Sequence, residues 1–136
     1  MKSREYEIIE KLNKAYNRKI ESIEDTYSHY DAECNIGIYE IKYRRTYYKN
    51  KMLEAIKLFN NFHLAQTKGK QFFYVVHDEK GLWVCNISDW IDEILKLPFD
   101  TIKCPATTDF GRDDKFIKIV INLPEGMFDK IEEDDS

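Results

Sequence analysis

The sequence predicts a mixed α/β (α+β) domain, and two patterns predict it. Apolar residues recur at helical spacing over residues 3–17 and 48–67. Short segments around these stretches either alternate or run continuously apolar, as strands do. The resulting order is helix, strand, strand, strand, helix, strand. At 136 residues, with 43% hydrophobic and 34% charged side chains, the chain fits one ordinary globular domain that buries about two-thirds of its unfolded surface.

The first helix, residues 3–17, places Ile8, Ile9, Leu12, Ala15 and Tyr16 on one face. Ser3 is a candidate cap, and Glu5 and Glu7 suit the positive end of the helix. Residues 19–34 are expected to hold one or two strands. In the last of these, Tyr30, Ala32 and Cys34 fall on one side and His29, Asp31 and Glu33 on the other. The next strand, 38–45, sets Glu40 and Lys42 opposite Tyr39, Ile41 and Tyr43.

A second helix over 48–67 carries Met52, Leu53, Ile56, Phe59, His63 and Leu64 on its stripe, with Asn60 interrupting it and Gly69 ending it. Gln71 to His77 reads as a buried strand, Asp78 to Gly81 as a turn and Leu82 to Ile87 as the partner strand. Ser88 is expected to cap a short helix reaching Leu97, closed by Pro98. A last strand runs from Phe116 to Leu123, followed by an acidic tail, Glu132, Glu133, Asp134 and Asp135. There is no repeat or low-complexity segment.

Composition narrows the function. No apolar stretch is long enough to cross a membrane, and the start, Met1-Lys2-Ser3-Arg4-Glu5, lacks the apolar core of a signal peptide. Cys34, Cys85 and Cys104 are odd in number and have no metal-ligand spacing, so reduced thiols in a cytoplasmic protein are expected, without structural zinc. The net charge is −4, yet residues 42–70 carry eight lysines and arginines against Glu54 alone. A local positive surface of this kind can bind phosphate even on an acidic protein. Solvated helix lysines are the plain alternative. No phosphate-binding glycine loop is present, so nucleotide-driven or dinucleotide chemistry has no support.

The most informative stretch is Asp31 to Lys42. If the two alternating strands pair with their apolar sides together, Asp31 or Glu33 stands near Glu40, with Lys42 beside it. Two carboxylates and an ammonium in one place suit a divalent cation. A surface ion cluster of little energetic weight is the competing explanation.

Asp31 followed by Glu40-Ile41-Lys42 resembles the signature of the PD-(D/E)xK, restriction-endonuclease-like nuclease superfamily. The proline that often precedes the first acid is replaced here by Tyr30. The resemblance covers about residues 3–87, leaving 88–136 as a C-terminal elaboration. It implies an αβββαβ core, with a mixed central sheet flanked by helices, in one nuclease-like domain spanning residues 1–136. It also implies a Mg²⁺-dependent DNA endonuclease, with Mn²⁺ able to substitute.

In that scheme Asp31 and Glu40 hold the metal with the Ile41 backbone carbonyl, while Lys42 orients the attacking water or steadies developing charge. Glu33 shares a face with Asp31 and could replace it; Asp31 is preferred because the family's first acid sits further from the turn. Many members, archaeal Holliday-junction resolvases among them, add a glutamate from the first helix. Glu5 matches it, with Ile8, Ile9 and Leu12 following at the same offsets, so the resemblance implies Glu5 as a further catalytic and metal-binding carboxylate.

Arg44, Arg45, Lys49 and Lys51 are the expected DNA contacts, with Tyr43, Tyr47 and Tyr48 beside them. His63 and His77 read as packing residues and His29 as a surface group near the site. Structure-selective or weakly sequence-selective cutting, and a homodimer that cuts both strands, are further expectations from the resemblance. A catalytically inactive module of the same fold, binding nucleic acid or a protein, is the alternative.

Overall fold

A computed structural model describes residues 3–25, 27–105 and 115–132. The expected Ser3 cap, the Cys104 thiol and the tail residues Glu133, Asp134 and Asp135 lie outside what is described. Helix α1 (Ser3–Tyr16) buries Ile8, Ile9 and Leu12 and ends before Asn17, whose φ of 53° lies in the left-handed region that asparagine tolerates. Asn13 then acts as a splint. Its amide donates to the Ile20 carbonyl at 3.1 Å and accepts from the Ile20 N–H at 2.7 Å. The chain is thereby turned into β1 (Glu21–Ser22), and β2 (Ala32–Glu33) and β3 (Gly37–Tyr43) complete an antiparallel trio.

Strand β4 (Asn50–Glu54) leaves this sheet, and α2 (Ala55–Lys68) crosses to β5 (Gln71–Asp78), which runs parallel to β3 from Gly37↔Gln71 to Tyr43↔His77. Gly69 ends α2 in the left-handed conformation, at φ 67°, with the Gly69 and Lys70 N–H groups donating to the last carbonyls of the helix. Strand β6 (Gly81–Asn86) returns as a hairpin, and α3 (Ile87–Ile94) follows. Strands β7 (Phe99–Pro105), β8 (Lys115–Pro124) and β9 (Asp129–Ile131) complete the described chain.

The strands form a mixed six-stranded sheet, β1-β2-β3-β5-β6-β9, and an antiparallel three-stranded sheet, β4-β8-β7. With three α-helices among the described residues, the fold is α+β. Strand β5 is buried from Phe72 to Val76 because both faces of the large sheet are covered. On one face α1 packs over Tyr39, Phe73, Val75, Leu82 and Val84. On the other, Leu58 and Ala65 of α2, Ile87 and Ile94 of α3, and Leu53, Ile121 and Leu123 of the small sheet cover Ile38, Phe72, Tyr74 and Val76. No helix of the described residues is long and apolar enough to cross a membrane.

Several expected elements are corrected. The helix expected from 48 begins at Ala55, because 50–54 pair with β8 in the register Leu53↔Ile121. The shorter helix turns a different face inward. Asn61, not Asn60, lies fully buried beside Leu58 and Ala65, while Ile56, Phe59 and His63 are exposed. Asn86 caps α3, its side chain accepting from the Asp89 N–H, and the Ser88 hydroxyl instead accepts from the Phe72 N–H at 2.9 Å. That helix stops at Ile94, short of Leu97. Strands β7 and β9 had no local signal; β9 joins the large sheet, and β7 and β8 build the small sheet with β4.

Candidate functional site

The site arises where the large sheet is left open. Strand β2 is two residues long, so from Glu40 onward the edge of β3 away from β5 has no paired strand among the described residues. Asp31, just before β2, substitutes for the missing ladder. Its N–H donates to the Tyr39 carbonyl at 2.8 Å, and its carboxylate Oδ2 accepts from the Ile41 N–H at 2.7 Å. One step on from the Ala32↔Tyr39 pair, Asp31 therefore stands across from Glu40.

Glu40 is 4% exposed. It points to the α2 side of the sheet, where Lys57, in the first turn of that helix, places Nζ 2.9 Å from Glu40 Oε2. Burial and the neighbouring Asp31 push the Glu40 carboxyl up to about 7, with Lys57 opposing the shift. Lys42 lies two residues further along the same side of β3. Partial burial and the cations Arg44 and Lys57 hold its ammonium below the ordinary lysine range.

These groups border a single cavity of about 580 Å³ that runs around the open edge, with Arg4, Glu5 and Ile8 of α1 on one side and Lys57 on the other. Glu5 is partly buried whereas Glu7 and Glu10 are exposed, as their helical positions implied. Asp31, Glu40, Lys42 and Glu5 thus meet at one cavity, together with the Ile41 backbone. A smaller adjoining cavity of about 200 Å³ shares Glu40, Lys42 and Lys57 and adds Arg44, Glu54, Tyr74 and Lys118. Glu54 is occupied there by Lys118 Nζ at 2.6 Å.

Glu33 does lie on the Asp31 side of β2, but toward the other end of α2. Its carboxylate takes hydrogen bonds from Lys70 Nζ at 2.7 Å, Lys68 Nζ at 3.0 Å and the Tyr30 hydroxyl at 2.9 Å, and it does not border the cavity. Burial alone would raise its carboxyl; the two lysines override burial and bring it to about 2. Of the two open candidates, the geometry leaves Asp31 at the cavity.

The expected nucleic-acid contacts separate. Lys51 is corrected: it is 3% exposed, stands over the rings of Tyr47 and Trp83, donates to the Tyr48 carbonyl and pairs with buried Asp78 at 3.6 Å. As an inward-facing residue of β4 it offers no charge to a ligand. Arg44 is half-buried in the smaller cavity, whereas Arg45 and Lys49 are exposed. Tyr43 lies between the Arg4 guanidinium, 4.1 Å from its ring, and the His77 ring at 5.7 Å. His29 is exposed, and Tyr47 is engaged with Glu125.

Sequence reasoning missed Lys57 and Arg4 as neighbours of the site. Lys57 was legible only once the start of α2 was fixed, because a helix joining parallel β3 and β5 lays its first turn over the later part of β3.

Among the described residues no three His, Cys, Asp or Glu side chains are grouped closely enough to enclose a metal. No protein-family model matches the chain, and a search of curated proteins finds no significant similarity.

Proposed function

We propose that the chain is a Mg²⁺-dependent DNA endonuclease of the PD-(D/E)xK type. The observation that carries this reading is the meeting of Asp31 and Glu40 across the open β2–β3 edge, with Lys42 and Glu5 at the same cavity. The element order supports it: α1, then β1, β2 and β3 antiparallel, then α2 and a parallel β5, with β4 as an insertion that leaves for the second sheet.

The donor set suits a hard cation. Mg²⁺ is commonly held by one or two carboxylates with waters completing the shell, so a third protein carboxylate is not required. Asp31 and Glu40 would hold it. The Ile41 carbonyl leaves β3 on the same side as the N–H bound by Asp31, toward the open edge. When bound, the cation supplies a more acidic water and neutralises charge on the phosphate. Lys42 would orient the attacking water or donate to a non-bridging phosphate oxygen. Asp31 fixes the edge of β3 through Ile41, and Glu5 closes the α1 side of the cavity.

One observation favours the inactive module: the Lys57 ammonium already rests on Glu40, as a protein-borne cation. Incubation of supercoiled, nicked, linear and four-way-junction DNA with Mg²⁺ or Mn²⁺ decides between the readings. The nuclease should cleave only with metal, and Glu40→Gln or Lys42→Ala should lose at least about a hundredfold in rate while still melting cooperatively (P–O bond hydrolysis requires more than binding). Absence of cleavage by the parent chain on every substrate supports the inactive module.

A further inference from the structure

A second, larger cavity adjoins the candidate site, and its lining carries more cations than acids. It measures about 870 Å³ and shares Arg4 and Tyr43 with the first. Arg4 of α1 sits over Tyr43, and Tyr43 stacks on His77, so this three-residue stack forms the wall between the two spaces. Beyond it the lining brings together Arg45 after β3, Lys80 in the β5–β6 turn, Lys130 of β9 and Lys11 of α1.

The acids of this cleft do not cancel that charge. Asp78 is buried and already neutralised by Lys51, with its Oδ1 taking the Trp83 indole N–H and the Lys80 backbone N–H. Glu79 accepts the Tyr47 N–H, and it and Glu132 stand with Arg4, Arg45, Lys80 and Lys130 in the same lining. Lys80 and Lys130 rest their ammonium groups over the rings of Tyr47, at 3.8 Å, and Trp83, at 5.5 Å. Among the described residues neither is paired with a carboxylate, so both can still meet an anion.

We propose that this cleft is a backbone-binding subsite, in which Arg4, Arg45, Lys80 and Lys130 hold the phosphodiesters that flank the bond presented to Glu40 and Lys42. Nucleic acid as the ligand rests on the nuclease reading; the anionic character of the ligand rests on the cleft alone. The Tyr43 ring is already engaged by Arg4 and His77, and the other groups of the cleft that can hold a ligand are cations. The contacts are therefore to phosphates, sequence-independent and strongly salt-dependent.

The test is fluorescence anisotropy of labelled single-stranded and duplex oligonucleotides in EDTA, where no hydrolysis can occur. The parent chain should bind at least one of them. Lys80→Glu with Lys130→Glu should weaken binding at least tenfold and reduce the slope of log Kd against log salt by about two. The charge-matched control Lys96→Glu with Lys103→Glu should leave both unchanged. Because Lys80 and Lys130 touch aromatic rings, Lys80→Gln with Lys130→Gln and Arg45→Gln serve as milder variants, each with a melting curve.

Equal binding by the parent and by natively melting cleft variants overturns the proposal. So does equal weakening by the control pair, or a parent chain that binds neither oligonucleotide. Tight, cleft-dependent binding without metal-dependent cleavage supports the subsite while refuting the nuclease reading.

Discussion

Glu40 is a carboxyl kept in a place that disfavours its charge, and this gives the molecule a pH signature. Its unfolded value is 4.5 and its folded value about 7. Between these values the native state holds a proton that the unfolded chain has released. The contribution of Glu40 to stability is therefore full below pH 4.5 and declines as pH rises to 7, by about 3 kcal/mol. Glu33 works the other way, because its lysines stabilise the charged form. Its contribution is present above pH 4.5 and lost as pH falls toward 2. Glu40→Gln should abolish the decline, so that this variant melts above the parent at pH 8 and no higher near pH 4.5. Denaturation at the two pH values checks this, and a variant less stable than the parent at pH 8 would contradict the assignment. Asp31, Glu40 and Lys42 were legible from alternation alone, since a period of two decides which side chains share a face. The buried role of Lys51 was not, since nothing local distinguishes it from the exposed lysines around it.

The elements that build the site are held by close contacts along β3. A Cβ at Gly37 would stand 2.5 Å from the Phe73 ring, which is itself stacked on Tyr39 at 4.9 Å. Both rings belong to the core under α1 and cannot swing aside cheaply. Gly37→Ala should therefore cost about 1–3 kcal/mol in urea denaturation. A variant as stable as the parent would mean that β3 and β5 are less tightly apposed than their register implies. Strands β3, β5 and β6 were readable because their alternation or continuous apolarity is local. Residues 50–54 were not. Met52 and Leu53 continue the helical spacing of Ile56 and Phe59, and only pairing with β8, some seventy residues later, commits them to a strand.

At the scale of the whole molecule, the chain is organised around an edge left unfinished. Strands β6 and β9 extend the large sheet on one side, while β2 stops after two residues on the other and leaves Asp31 to complete β3. The small sheet packs on the α2 side and anchors β4, with the Tyr74 hydroxyl donating to the Met52 carbonyl at 2.7 Å. This arrangement was hidden in the sequence because every pairing of β4, β7 and β9 is non-local or lies past the reach of the family resemblance. Its functional consequence is one cavity bordered by three carboxylates, the Lys42 ammonium and a partly exposed lysine from α2. The most direct test is titration calorimetry of the purified chain with Mn²⁺ at pH 8, without DNA. One saturable site should appear, and Asp31→Asn or Glu40→Gln should each remove it while the protein still melts cooperatively. No heat of binding to the parent, or a site that survives both substitutions, would contradict the account.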